Sequence, residues 1–380
     1  VADAEATARL RAGRREEGAM RAAVMTGPGR LDVQEVELLP LAPGRIRVRT
    51  GATPFCATDV MNADGVFGKE PPTILGHASM GVVEELGPDV MGVRVGDRVV
   101  VHGTAECGRC FYCARGRTDQ CSVIFDRPDG PPPVARLADG SIATAAGNVG
   151  GYAEVMSVDA RQVVALDSRL SDVELGLLGC GVTTGLGSVF NVAAVVPGSD
   201  VAVVGCGQLG LWMIQGARLA GAGQIIALDP DAGRRDRAVK AGATAVLDPD
   251  EADPVEQVRA LTGGYGVTYA LEAAGPALAQ RQAVLMTHRG GTTVLTGCEP
   301  LGAKLSLPQV PVALHGRTVV SSQNGRVRMH HDIPRYVRML EDGRLDASLV
   351  VSAEFALDRV EDAMEAARTH RTVIGVIVPR

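Results

Sequence analysis

The sequence predicts an α/β protein in which a doubly wound parallel sheet follows a β-rich first third. Three observations carry this. From about Ser171 onward, apolar strand-like runs alternate with amphipathic helical stretches, the pattern of βαβ units. The first of those runs, VAVV at 201, leads straight into a glycine-rich loop, Gly205 to Gly210. Before Ser171 the chain is instead a series of short β-rich runs punctuated by Gly and Pro. A length of 380 residues fits two such domains.

Taken in order, residues 1–20 mix four arginines with Asp3, Glu5, Glu16 and Glu17 and show no apolar core, so they read as an extension rather than a secretory signal. Strands are expected at Arg21–Met25, Leu31–Val36, Arg45–Thr50, Gly81–Leu86 and Arg98–Val101. Residues 126–151, rich in Pro, Gly, Ala and Asp, read as a long surface loop. The parallel-sheet strands are expected at 201, 224, 244, 267, 292 and 317, with helices at Asp231–Ala241 and Pro254–Leu261 among them. After about Ser322 the alternation breaks. Helices near Asp332–Leu340 and Asp358–Thr369 then flank short strands ending in VIGVIV. Composition leaves open whether this tail extends the parallel sheet or returns to the β-rich part.

Composition excludes several classes. Lys plus Arg number 38 and Asp plus Glu 44, a net charge of −6, which is a poor footprint for phosphate backbones. The chain has only one Trp, five Tyr and six Phe, too few for base-stacking platforms, so no nucleic-acid partner is expected. The most apolar stretch, Leu209 to Leu228, is interrupted by Arg218, so no membrane span is expected either. A cytoplasmic location follows, where its eight cysteines stay reduced and clusters of them point to metal or catalysis.

Gly205, Gly207 and Gly210 have the G-x-G-x-x-G spacing. The first permits a tight turn, the second lets backbone approach a pyrophosphate, and the third packs helix on strand. The phosphate then meets the positive end of a helix. Asp229 stands 19 positions beyond Gly210, at the end of the second strand, where an acid suits the ribose hydroxyls of NAD and repels the phosphate of NADP. Arg234 and Arg235 follow, either beside the adenosine ribose or simply solvated on a helix.

Cys107, Cys110, Cys113 and Cys121 form C-x₂-C-x₂-C-x₇-C, four thiolates that can close a tetrahedral shell around a structural zinc. Cys56, His77 and Cys180 are dispersed, and spacing alone makes each an ordinary buried residue. Two thiolates and an imidazole are nevertheless a catalytic zinc shell with one position left open.

With these motifs in this order, the chain resembles the zinc-containing alcohol dehydrogenases of the medium-chain dehydrogenase/reductase family over about residues 21–380. The resemblance rests on Cys56 in PFCATD, Gly76-His77 through Gly81, the four-cysteine lobe, GCGVTTG at 179–185 and the Gly205 loop. It implies a Rossmann NAD-binding domain over 182–322. It also implies a GroES-like catalytic domain with a structural zinc lobe, split between 21–181 and 323–380. Two Zn²⁺ per chain follow: Cys56, His77 and Cys180 on the catalytic ion, and the four-cysteine lobe on the structural one. Thr58 is implied as proton relay and Asp59 as the group orienting His77. Thr184, Asp229 and Arg371 match coenzyme-binding positions. The stretch 304–320 resembles the segment through which members pair sheet edges, so at least a homodimer is expected, with a tetramer open.

Two departures stand out. Ala78 follows His77 where the family usually has Glu, and Met61 stands where many members carry a proton-releasing His. Cys206 and Cys298 match no ligand position and read as packed thiols, and His330 and His331 as the solvated start of a helix. The function implied is hydride transfer between a small-molecule alcohol or aldehyde and NAD(H). A thiol-dependent formaldehyde dehydrogenase is the alternative chemistry, and a non-turnover NAD-binding sensor or interaction protein is the alternative of another class.

Overall fold

Strand β1 (Ala19–Gly27) opens the computed structural model, which describes residues 19–128 and 130–379. Apart from Ala19 and Met20, which belong to β1, the expected N-terminal extension lies outside the described residues. β1 pairs with β2 (Arg30–Leu38); Ala22, Val24, Val36 and Leu38 turn into one small core, while Ala23, Met25 and Leu31 turn into another on the opposite face.

The stretch 126–151 departs from the surface-loop reading. It holds a hairpin, β7 (Pro133–Arg136) and β8 (Ile142–Ala145), that joins β2 on one side and β4 (Thr73–Ile74) on the other. A five-stranded barrel, β1-β2-β7-β8-β4, closes as a result. Its Pro and Gly content concealed two four-residue strands whose inward residues, Val134, Ala135, Ala143 and Ala145, complete the barrel core. Closure removes free sheet edges, which gives short strands a reason to persist.

Beside the barrel lies a sheet in the order β10-β6-β5-β3-β18-β17, with β9 (Val155–Asp159) also on β3. Here β3 is Arg45–Phe55, β5 Ser79–Leu86, β6 Arg98–Val101, β10 Val163–Ala165, β17 Val351–Ala356 and β18 Ile374–Val378. The pairing of β18 with β3, Gly375 opposite Phe55 and Val376 opposite Pro54, answers the open question of the tail: it returns to the N-terminal sheet.

The other sheet is entirely parallel, in the order β13-β12-β11-β14-β15-β16. Its strands are β11 (Asp200–Val204), β12 (Gln224–Leu228), β13 (Ala245–Leu247), β14 (Val267–Glu272), β15 (Thr287–Leu295) and β16 (Thr318–Ser321). Both faces are covered, so the central strands β11, β12 and β14 are mostly apolar. Val201 and Val203 pack toward Trp212, while Ala202 and Val204 pack toward Val258 and Met286. The core containing Trp212 also takes in Met80 and Val100, so it is continuous with the catalytic sheet. Strand order reverses at β11, and a ligand crevice is expected at the carboxyl ends of strands there. No helix of the described residues is long and apolar enough to cross a membrane.

Candidate active site and metal centres

The end of β3 delivers Cys56 as the N-cap of the helix Ala57–Ala63. Three residues on, Asp59 has no solvent exposure and uses all of its carboxylate. Oδ1 accepts from His77 Nδ1 at 3.0 Å and from Gly76 N at 3.2 Å. Oδ2 accepts from Cys56 N at 3.2 Å and from the Tyr152 hydroxyl at 3.0 Å. With Nδ1 donating to Asp59, the other imidazole nitrogen is left to face the site, and His77 Nε2 stands 3.4 Å from Cys180 Sγ.

Cys180 arrives from another direction. Ser171 and Glu174 form a reciprocal capping box that starts the helix Asp172–Leu177, and the chain then turns through Gly179 to Cys180. Ala78 meets that turn: a Cβ on Gly179 would lie 2.9 Å from Ala78 Cβ. The result is one donor atom each from Cys56, His77 and Cys180, all within 4.8 Å of one another. That donor set suits a zinc ion with a fourth position left for substrate.

The electrostatics agree. A hydrogen bond from Cys180 draws the Cys56 thiol well below its ordinary range, and His77 adds to this against the cost of burial. The same hydrogen bond, together with burial, pushes Cys180 well up. Burial pulls His77 down, but Asp59 and Cys180 outweigh it and raise the imidazole well above its usual value. The two sulfurs are thus shifted in opposite directions, and because a metal ligates thiolates, binding an ion here would release protons.

Cys107, Cys110, Cys113 and Cys121 likewise bring four sulfurs within 4.8 Å of one another, on a lobe after β6. Against desolvation, the N–H groups of Cys113 and Ser122 bring Cys110 down to about 6. A four-sulfur shell leaves no position for substrate, so the fit is to a structural ion. The lobe is anchored by Thr118 Oγ1, which donates to the Val327 carbonyl at 2.7 Å.

The glycine loop follows β11 at the strand-order reversal. Gly205 has φ +91°, and a Cβ on Gly210 would lie 1.9 Å from the Gly205 carbonyl oxygen, so neither position admits a side chain. Around Gly207, by contrast, a Cβ would meet nothing within 4 Å, leaving backbone open to a ligand. Asp229 is 3% exposed, with Oδ2 accepting from Cys206 N at 2.8 Å and Oδ1 from Asp231 N at 2.9 Å. It thus braces the loop that it follows in sequence. Arg234 Nη1 lies 3.8 Å from Asp229 Oδ2, while Arg235 is committed to the Asp229 carbonyl and to Asp248. Thr184 is buried with its hydroxyl unpartnered, a polar atom placed for a ligand. Thr58 is half-buried and carries no side-chain hydrogen bond, and Arg371 is exposed, donating to Thr369 Oγ1.

The chain matches the models of two families, an alcohol dehydrogenase GroES-like domain over residues 42–168 and a zinc-binding dehydrogenase over 209–342. It is 33% identical over 371 residues to an S-(hydroxymethyl)glutathione dehydrogenase from Shigella sonnei, covering 93% of this chain and 99% of that one. The chain belongs to the zinc-binding alcohol dehydrogenase family. Solved relatives agree. An alcohol dehydrogenase zinc-binding domain protein from Burkholderia ambifaria superposes with a TM-score of 0.90 at 29% identity, covering 95% of this chain and 99% of that one. Benzyl alcohol dehydrogenase from Acinetobacter calcoaceticus does so at 0.88 and 27%, with the same coverage.

Several residues of this dehydrogenase's site were not found by sequence reasoning. Tyr152 stacks on Phe55 at 5.1 Å and gives Asp59 its fourth hydrogen bond, from a stretch with no motif around it. Glu272, fully buried at the end of β14, accepts from Ala274 N, Gly275 N and Gly297 N and so ties together the loops after β14 and β15. A lone acid closing an apolar strand was its available signal. His102 is buried, bonded to Thr183 and Thr104, and pulled down to about 4 by burial and by His77. Gln208 donates Nε2 to Cys56 Sγ at 3.1 Å from inside the glycine loop. Cys206 is a packed thiol, but Cys298 is exposed, because the loop after β15 points it out of the core. His331 lies exposed at the start of the helix Met329–Glu341.

Proposed function

We propose that this dehydrogenase transfers a hydride between a small-molecule primary alcohol, or its aldehyde, and NAD(H). The observation that carries the reading is the direct contact between the two halves of the site: Gln208 of the glycine loop touches Cys56 of the three-donor shell. Coenzyme held on that loop would meet substrate held at those donors. A zinc ion there supplies a Lewis acid that lowers the pKa of a bound alcohol, and the nicotinamide supplies the hydride acceptor.

The chain's own residues do the rest. Asp59, with its four hydrogen bonds, holds His77 in the tautomer that presents Nε2. Thr58 Oγ1, free of other bonds, accepts the alcohol proton and hands it toward the coenzyme ribose. Gly207 and the first turn of the helix Gln208–Leu219 receive the pyrophosphate, with Arg371 as a further cation, and Thr184 lines the nicotinamide side. Asp229 and Arg234 hold the adenosine ribose. The catalytic unit comprises 21–181 with 323–380, and the coenzyme unit 182–322. A panel of primary alcohols with NAD⁺, followed at 340 nm, tests the activity; no turnover with any of them, in protein holding two zinc ions, would refute it.

A second reading deserves a place because of the Shigella sonnei relative. The adduct of formaldehyde with a thiol is itself a primary alcohol, so the same machinery would oxidise it. Formaldehyde offered with and without glutathione and other thiols separates the two: thiol-dependent turnover favours the second.

Coenzyme choice rests on Asp229. Asp229→Gly is expected to weaken NADH binding by about 10–100-fold, the worth of hydrogen bonds to a charged group. It should also relieve the repulsion of NADP. Fluorescence titration with NADH and NADPH checks both, and a wild type using the two equally would overturn the assignment.

Met61, half-buried on the helix after Cys56, cannot carry a proton. Alcohol oxidation in the wild type is therefore expected to rise with pH without an inflection near 6.5, the ordinary imidazole value. Met61→His should introduce that inflection, since a neutral imidazole can take the proton only above its pKa. An inflection already present in the wild type would mean that another group serves.

The assembly is a homodimer. β16 is the outermost strand of its sheet, and the segment leading into it exposes Leu301, Val310 and Leu314 at 72%, 53% and 78%. Unpaired edges beside exposed apolar side chains are covered by association. Light scattering should give at least twice the monomer mass of 39.5 kDa, and a monomer at all concentrations would contradict this.

A further inference from the structure

Gln208 is the first residue of the helix Gln208–Leu219, and its backbone N–H belongs to the helix end that faces the coenzyme phosphates. Its side chain leaves that helix and crosses to the other half of the site, where Nε2 donates to Cys56 Sγ at 3.1 Å. One residue therefore has its backbone at the coenzyme loop and its amide on a thiolate of the three-donor shell.

The other end of the amide, Gln208 Oε1, is buried but makes no hydrogen bond, and the same holds for Trp212 Nε1, one helical turn away on the same face. Both crowd the same point. A Cβ on Gly181 would lie 2.7 Å from Gln208 Oε1 and 3.6 Å from Trp212 Nε1. The amide is oriented by the sulfur: an amide oxygen cannot donate, so the contact with Cys56 Sγ places the nitrogen on the sulfur and turns the oxygen toward Gly181. Trp212 has no solvent exposure and is wedged in the core, which makes it a fixed backstop. The absence of a side chain at Gly181 is what gives the amide room.

We infer that Gln208 is a positioning residue that couples the coenzyme loop to the catalytic-metal thiolate. The inference rests on the proposed metal shell and coenzyme loop. An N–H···S hydrogen bond withdraws charge from a metal-bound thiolate, and such outer partners tune the metal. Phosphate drawn onto the start of this helix shifts the Gln208 backbone, hence the length of the N–H···S bond, hence the charge that Cys56 gives the metal. Because binding linkage is reciprocal, the metal in turn alters coenzyme affinity.

The test uses full-length protein loaded with cobalt(II) and ADP-ribose, which fills the loop but carries no nicotinamide to reach the metal. In the wild type, ADP-ribose should shift the thiolate-to-cobalt charge-transfer band. In Gln208→Met, which keeps the length but removes the donor, ADP-ribose should still bind by calorimetry while the shift disappears. Gln208→Glu, which keeps the shape but loses the N–H donor, should lose the shift too and serves if the Met variant fails to fold. A cobalt shift that persists in both variants, or that is missing from the wild type, would overturn the coupling. A total metal content, zinc plus cobalt, of one ion per chain would instead overturn the metal shell, and the coupling with it.

Discussion

Cys180→Ser is expected to reduce turnover by at least about 10³-fold, the effect of removing several kcal/mol of charge stabilisation. Metal content should fall from two zinc ions per chain to one. The melting temperature should move little, because the four-sulfur lobe is untouched and Cys180 sits on a turn at the site rather than in a core. The physical reason lies in the donor set: replacing a sulfur by a hydroxyl removes a soft donor from a shell that has only three protein ligands. Zinc analysis, alcohol oxidation and calorimetry on one preparation decide the matter. A variant that bound two zinc ions and turned over normally would show that the three-donor shell is not where chemistry happens.

Cys110→Ser should do the opposite. It removes one of four sulfurs from a closed shell whose binding energy is folding energy, so a loss of about 3–5 kcal/mol is expected. Molecules that remain folded should keep turnover within about threefold. The lobe's four donors form a group separate from Cys56, His77 and Cys180, so its loosening need not reach the donors around Cys56. Denaturant unfolding followed with zinc release checks this. Lost turnover in a variant of full stability and full zinc content would place Cys110 in the reaction instead.

How much of this was legible beforehand depended on what kind of interaction each part uses. The parallel sheet was readable because its strands are buried on both faces, and the apolar runs at 201, 224 and 267 stand out from their surroundings. The four-cysteine lobe was readable because all its donors lie within 15 residues. The hairpin Pro133–Ala145 was not, since its strands are four residues long and become strands only by closing a barrel between β2 and β4. Nor was the exposure of Cys298, which depends on how the loop after β15 leaves the sheet.

By itself, then, the sequence determined the local devices: the turn that only Gly205 and Gly210 permit and the donor chemistry of Cys and His. These depend on neighbours in the chain, and neighbours are written in order. Tertiary structure alone decided how distant groups meet. It brought Cys56, His77 and Cys180 within 4.8 Å of one another across 124 positions. It returned β18 to β3, set the Tyr152 hydroxyl on Asp59, and laid Gln208 of the coenzyme loop against Cys56. Each of these contacts spans a long loop, whose closure is favourable only when the whole core is buried at once, so no short stretch of residues carries its signature.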